Sequence, residues 1–576
     1  MSRKAALKFP PGPSEGLRRF SLGPLGNRDP LNYFSELVRK YGDIIGLRVL
    51  NYRIYLINHP DYIEDVLVNH PRKFIKGRVL RANSRVFGEG LLTSEGDFWL
   101  RQRRLAQPAF HRARIAGYAS AMVEFAERLV AQWNDGEERD LHQEMMRLTL
   151  QVVGKTLFDA TVEGDAQEVG KSLEQLLEIG ANFRRTVFVP QWIPTPANRR
   201  IEKSISQIEK VIYRIIADKR ASGRDAGDLL SMLLAAQDED GSRMTDQQLR
   251  DEAITLFLAG HETTANTLAW TWWLLAQNPG VETKLHAELD AVLGGSTATI
   301  DHMPKLVYAG HVITESLRLY PAAWGMARQA VEDYEIAGYK VPKGSGVSFA
   351  QWTVHRDLRW YEASEEFRPE RWEGDLMKRL PRFAYFPFGG GPRLCIGNNF
   401  ALMEATLILV TIAQRYRFRL VKDHPVVPLP SITLRPRYGI RAVLLTIGAF
   451  TGIPASGSIN TRTVLAFSTK SGSAALVFSF AIPSEVSRKT PKSNTRMRTS
   501  ITTSIRQSHR SSIVLNHFRG YQFPVGIIPV FSTINTTVRR CARVRCTTPF
   551  GTTNPCRGCN STVRASKSIK SLPSTT

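Results

Sequence analysis

Phe388-Gly389-Gly390-Gly391-Pro392-Arg393-Leu394-Cys395-Ile396-Gly397 sets one cysteine just behind a run of three glycines. An apolar helical pattern begins directly after it, at Phe400, Leu402, Met403, Leu407, Ile408, Val410 and Ile412. Glycine lets a backbone come close to a flat or bulky ligand. Backbone N–H groups at a helix start favour a thiolate over a thiol. Arg393 adds a fixed cation suited to holding a carboxylate. A thiolate placed this way suits a soft metal, and for a single cysteine haem iron fits best. The plain alternative is a buried structural cysteine beside a glycine-rich turn.

Three further patterns lie upstream. Trp99 and Arg103 are four apart on a helix opening at Asp97, so they share a face. An indole N–H and a guanidinium on one face make a donor pair for a carboxylate. A solvated basic face is the competing account, with Arg101, Arg104, Arg112 and Arg114 nearby. Thr245 with Gln248 forms a capping box, and an apolar helix runs from there to Gln277, stopped by Asn278-Pro279-Gly280. At the usual rise it reaches about 48 Å, so it must cross a domain interior. In its middle stand Ala259, Gly260, His261, Glu262, Thr263 and Thr264. An acid and hydroxyls buried there cost free energy unless they have partners or a task. Gly260 allows close approach of a ligand or a local widening of the helix. A zinc-protease reading of His261-Glu262 fails, because residue 265 is Ala. Finally, Glu315 and Arg318 face the same way on an apolar helix that ends at Tyr320-Pro321.

Together these stretches resemble the cytochrome P-450 family, the haem-thiolate monooxygenases. The family's cysteine loop reads Phe, Gly, any, Gly, any, Arg, any, Cys, any, Gly. Phe388, Gly389, Gly391, Arg393, Cys395 and Gly397 fill every fixed place. Ala259 to Thr263 matches the family's oxygen-activation motif, in which the acid feeds protons and the threonine hydroxyl hydrogen-bonds bound dioxygen. The resemblance carries those roles to Glu262 and Thr263. It assigns Trp99 and Arg103 to a haem propionate, and Arg328, ahead of Gly338, to a propionate as well. It makes Glu315, Arg318 and Arg371 (in Pro369-Glu370-Arg371-Trp372, with Trp for the usual Phe) a structural triad. Phe87, Ala259, Ala323 and Met326 become candidate substrate contacts. Cys395 becomes the axial ligand of haem b, with Phe388 and Arg393 beside the same cofactor. The resemblance covers about residues 10–445.

Composition bounds the rest. Among 576 residues no run of about eighteen apolar residues occurs, so no membrane-spanning helix is expected. Met1 to Pro13 lacks the apolar core of a signal peptide. A cytoplasmic protein without a membrane anchor is the expectation. The net charge is +24, yet residues 446–576 alone carry 18 Lys and Arg against one acid, Glu485. A nucleic-acid reading would therefore rest on the tail alone. Four of the five cysteines, Cys541, Cys546, Cys556 and Cys559, crowd into that tail. Zinc could use such short pairs, but unstructured thiols are the simpler reading.

The expected architecture is mainly α, a P-450 fold with a minor β region over residues 1–445. A basic Ser/Thr/Arg-rich tail, 446–576, is expected to be unstructured. The resemblance implies insertion of one oxygen atom from dioxygen into an apolar substrate. Electrons would come from a separate ferredoxin- or flavodoxin-type donor, because the tail is too short for flavin reductase domains. A peroxide-driven oxygenase or isomerase is disfavoured by Glu262-Thr263. The alternative from another class is a haem-binding sensor or a nucleic-acid-binding protein acting through the tail. Along the chain, Phe74 to Glu95 reads as a loop punctuated by Gly77, Gly88 and Gly90. Arg417 to Leu444 reads as a hairpin bending at Pro428 and Pro430.

Overall fold

The computed structural model describes residues 9–447 except 14–28, 50, most of 160–192, 224–226 and 238–240, together with 466–470 and 473–477. Chain contacts group Met1–Phe450 as one unit and Thr451–Thr576 as another. Within the second, Ala466–Lys470 and Ser473–Val477 pair as an antiparallel hairpin. The tail cysteines lie outside the described residues.

Six helices position the site. They are α1 (Pro30–Tyr41), α2 (Gly96–Ala106), α3 (Leu141–Phe158), α4 (Asp246–Gln277), α5 (Val307–Leu319) and α6 (Asn398–Ala413). The capping box of α4 forms as its sequence demands. The Thr245 hydroxyl accepts from Gln248 N at 3.2 Å, and the Gln248 side chain accepts from Thr245 N at 3.0 Å. Almost every side chain from Leu249 to Leu275 on α4 is buried. A helix apolar all round can be stable only inside a core. It packs chiefly on α3, and both belong to the main hydrophobic core with α6.

The β region is small. β1 (Ile44–Val49), β2 (Tyr52–Ile57), β3 (Phe74–Lys76), β5 (Met326–Ala330) and β8 (Gly346–Phe349) form one sheet in the order β1-β2-β8-β5-β3. β4 (Glu138–Asp140) joins β12 (Arg441–Thr446) and β9 (Tyr416–Leu420) in a second. β6 (Tyr334–Ile336) pairs with β7 (Tyr339–Val341), and β10 (Pro428–Pro430) with β11 (Leu434–Pro436).

Two expectations need correcting. Phe74 to Glu95 is more than a loop, because β3 and the short helices Arg78–Arg81 and Ser84–Phe87 lie within it. Its glycines also serve packing. A Cβ on Gly88 would sit 2.1 Å from the Asp251 carboxylate, and one on Gly90 would sit 2.3 Å from Thr255 Oγ1. Asp251 and Glu252 then accept from the backbone N–H of Glu89 and Leu91 at 2.8 and 3.0 Å. The terminal hairpin pairs β9 with β12 as expected, but Pro428 and Pro430 do not form a bend. They lie in an edge strand, where missing N–H donors are tolerated, and the turn falls at Ser431–Thr433.

Candidate active site

The glycine loop is pressed against the body of the protein. A Cβ on Gly391 (φ +68°) would come 1.9 Å from the Leu67 carbonyl oxygen, so no larger residue fits. Cys395 N donates to the Phe388 carbonyl at 3.1 Å, closing the loop. Phe388 is half-buried against the main core. Met326 meets the loop from β5, with its Cε 3.0 Å from where a Gly389 Cβ would be.

Cys395 retains exposed surface, yet it is enclosed by protein, and burial pushes its thiol above the usual value. The Gly397 N–H and the Arg103 guanidinium pull the other way. The Cys395 side chain is thus reachable although protein surrounds it. The burial of α4 is also broken at Ala259, which is exposed, and at Gly260 and Thr263, which are partly exposed. Thr263 donates its hydroxyl to the Ala259 carbonyl at 2.6 Å. A Cβ on Gly260 would meet Val153 of α3 at 3.1 Å, so this glycine serves helix packing.

A cationic cluster forms around one acid. Arg393 pairs with Glu95, donates to the Ser94 carbonyl at 3.2 Å, and lies 4.2 Å from the Trp99 ring centroid. Arg103 donates to the Leu394 carbonyl at 2.9 Å and to Gln107 at 3.0 Å. Burial, then the charge of Arg393, pushes Arg328 down to about 10. The same two causes push Lys76 down to about 7. Lys76 donates to the Leu91 and Ser94 carbonyls at 2.7 and 2.8 Å. Glu95 alone serves this cluster: among the described residues Arg103, Arg328 and Lys76 make no ion pair, and two propionates would supply the missing acids. The donor set and a reachable cysteine thus fit a haem with a cysteine ligand. Arg393 lies over Trp99, Arg103 meets the cysteine loop at Leu394, and Arg328 feels the charge of Arg393; Lys76 and Glu95 had no signal beyond two ordinary charges in a loop.

Glu262 is buried and points to the β10–β11 turn, where it accepts from the Thr433 hydroxyl at 2.7 Å. Burial raises its carboxyl above the usual range, against the Thr433 hydrogen bond and the charge of Arg435. Successive helical residues point about 100° apart. Glu262 and Thr263 therefore face different surroundings. Ala323 is half-buried, whereas Phe87 is packed in the main core at 4% exposure.

The triad is fully formed beneath the loop. Glu315 and Arg318 are both 0% exposed. The Glu315 carboxylate accepts from Arg318 Nε and Nη2 at 2.9 Å each, Arg371 Nε at 2.8 Å, Trp372 Nε1 at 2.9 Å and Arg368 N at 3.1 Å. Trp372, in place of the usual Phe, contributes a donor that Phe could not. Arg318 also donates to the His355, Ser364 and Glu366 carbonyls, tying together the chain that leads to the cysteine.

Glu404 on α6 is a further buried acid, visible in sequence only as one charge in an apolar run. Among the described residues neither of its oxygens has a well-formed hydrogen bond, and burial pushes it up to about 8, opposed only by the nearby Thr264 hydroxyl. Its folded value exceeds the unfolded one, so the folded state binds the extra proton and stability falls as pH rises from about 4.5 to 8. Each unit of such a shift is worth about 1.4 kcal/mol, so the fall attributable to Glu404 is a few kcal/mol. Glu404→Gln should melt above the parent at pH 8 and converge with it toward pH 4.5. Parallel melting curves across that window would show Glu404 ionised or solvated.

Comparison with known proteins gives a consistent result. A family model described as Cytochrome P450 matches residues 10–440. The chain is 39% identical over 433 residues to Cyclooctatin synthase of Streptomyces melanosporofaciens, covering 74% of this chain and 91% of that protein. It is 36% identical to Cyclooctat-9-en-7-ol 5-monooxygenase of the same organism, covering 71% and 87%. It is 35% identical to Pentalenene oxygenase of Streptomyces avermitilis, covering 71% and 91%.

Proposed function

The chain belongs to the cytochrome P450 family, and from that premise we propose that its substrate is a cyclic, hydrocarbon-rich terpenoid. It is a haem-thiolate monooxygenase that uses dioxygen and a separate redox partner. Haem b with a cysteine thiolate ligand supplies activation of dioxygen and transfer of one oxygen atom to a C–H bond. Among the described residues no helix is long and apolar enough to cross a membrane.

In our reading Cys395 is the axial ligand, and Trp99, Arg103, Arg328 and Arg393 hold the propionates, with Phe388 against the ring. The observation that carries this reading is that Cys395 is exposed although protein surrounds it, while Ala259 and Thr263 break the burial of a helix that is otherwise largely buried. Thr263 offers a hydroxyl at the open face of α4, while buried Glu262 stores the proton to be delivered. Ala259, Ala323 and Met326 border the substrate space, and the largely apolar surroundings exclude water. Phe87 shapes that space from behind, as core. The substrate class rests on the relatives, whose names specify a cyclic alkenol and a cyclic alkene.

For the electron donor, an acidic ferredoxin-type protein suits the depression beside α2. Leu100, Arg103, Arg104, His111, Arg114 and Asn399 line it, with Asn399 four residues past Cys395. Complementary charge would speed that encounter and make it salt-sensitive. The catalytic unit is residues 1–445 in this reading, and residues 446–576 take no part in the chemistry. Every residue invoked precedes Leu445.

Titrating the haem-loaded protein with cyclooctat-9-en-7-ol or pentalenene should move the haem from low to high spin. Turnover should then yield product with one added oxygen. Thr263→Ala should keep the spin change but divert most electrons to peroxide or water. A spin change with straight-chain fatty acids and none with either cyclic compound would overturn the substrate class. Unaltered coupling in Thr263→Ala would overturn the role of Thr263.

A further inference from the structure

Glu262 is held by hydrogen bonds that begin more than a hundred residues upstream. His142, on the first turn of α3, meets the Asn266 side-chain oxygen through Nε2 at 2.9 Å. Asn266 donates its amide to the Thr433 hydroxyl at 3.1 Å. Thr433 donates in turn to Glu262 Oε1 at 2.7 Å. Each bond fixes the direction of the next. Asn266 uses its NH2 on Thr433, so its oxygen can only accept, and His142 Nε2 must carry a hydrogen. The Thr433 oxygen accepts from Asn266, which leaves its own hydrogen for the carboxylate. Burial pushes His142 down to about 4, so the imidazole is neutral at physiological pH. Asp140 lies beside it, and Arg435 faces both His142 and Glu262.

The middle of this chain cannot drift. Thr433 stands in the β10–β11 turn, which is pinned from three sides. Trp324 Nε1 donates to the Ser431 carbonyl at 2.9 Å, Leu434 N to the Ala322 carbonyl at 2.9 Å, and Trp270 Nε1 to the Leu434 carbonyl at 2.9 Å. Asn266 is 0% exposed on α4, one turn past Glu262. The acid is thus fastened between its own helix and a rigid turn, with the Thr433 hydroxyl aimed at it.

We infer that His142, Asn266 and Thr433 are positioning residues that hold the Glu262 carboxyl in the orientation from which it delivers protons. This rests on the proton role proposed for Glu262. Hydrogen bonds to the charged form of an acid lower its pKa. The chain therefore also keeps Glu262 more readily ionised than burial alone would allow, so it can release a proton as well as bind one. The Asn266 amide cannot pass a proton as a hydroxyl can, so the chain orients the acid and does not feed it.

The test uses the haem-loaded full chain with ferredoxin, its reductase and cyclooctat-9-en-7-ol. Thr433→Val removes the donor and keeps the shape, and Thr433→Ser restores the hydroxyl. Peroxide leak per electron should rise about tenfold in Thr433→Val, the rate equivalent of one charge-assisted hydrogen bond. It should return close to the parent in Thr433→Ser, and Thr433→Val should add nothing in a Glu262→Gln background. Infrared spectra give a readout independent of turnover. The protonated-carboxyl band lost in Glu262→Gln should persist about one pH unit higher in Thr433→Val. An unmoved band, equal leak in the Val and Ser variants, or a full Thr433→Val effect without Glu262 would each overturn the inference. Parental leak in Glu262→Gln alone would instead remove the proton role of Glu262, while the infrared shift still decides whether Thr433 holds it.

Discussion

Cys395→Ser should abolish the red-shifted Soret band that reduced, haem-loaded protein shows with carbon monoxide, and turnover with it. The loop explains why the effect is complete. Burial keeps the Cys395 thiol above its usual value despite the Gly397 N–H and Arg103, so the fold alone does not produce a thiolate. Haem iron held by Cys395 would supply the missing stabilisation, because a coordinating thiol loses its proton outright. Serine cannot follow, since its hydroxyl is a far weaker acid than a thiol. Haem-free protein should accordingly react slowly with thiol reagents at neutral pH, even though the Cys395 side chain is exposed. Retention of the thiolate band in Cys395→Ser would refute the ligand assignment.

Glu315→Ala should be the most damaging substitution remote from the reacting atoms. It removes the acceptor of five hydrogen bonds and leaves Arg318, at 0% exposure, as an uncompensated buried charge. Breaking one partner of a buried pair costs roughly 3–5 kcal/mol. That is a large share of the 5–15 kcal/mol that holds a typical domain together. The loss falls on segments 355–366 and 368–372, which Arg318, Glu315 and Arg371 join to α5. We expect little haem-loaded protein from Glu315→Ala and a melting point lower by several degrees. Trp372→Phe, which removes one of the five donors, should cost about 1.5–3 kcal/mol at most. Normal haem content and an unshifted melting curve in Glu315→Ala would show that the pair is solvated.

Local chemistry determined much of this protein from sequence alone. The limits of α4 follow from Thr245, Gln248 and the Asn278-Pro279 stop, because caps and breakers act within a turn or two of chain. The cysteine loop, the Trp99–Arg103 face and the Glu315–Arg318 pair are equally local, each set by a spacing of a few residues. Helix periodicity likewise placed α6. The roles of single side chains across the fold were decided elsewhere. Thr433 and Glu262 are 171 residues apart, and nothing in either neighbourhood marks them as partners. Arg393 finds Glu95 across 298 residues, and Trp372 supplies an N–H to Glu315 across 57. Gly260 read as room for a ligand or a widening of the helix, and its missing Cβ leaves room for Val153, because which face of a buried helix meets its neighbour depends on the crossing of α3 and α4. Pro428 looked like a bend and lies in an edge strand, since an unpaired N–H position exists only once the sheet is assembled. Periodicity states that a residue is buried; only the tertiary structure selects the atom it is buried against, and for a polar group that atom determines its charge and its task.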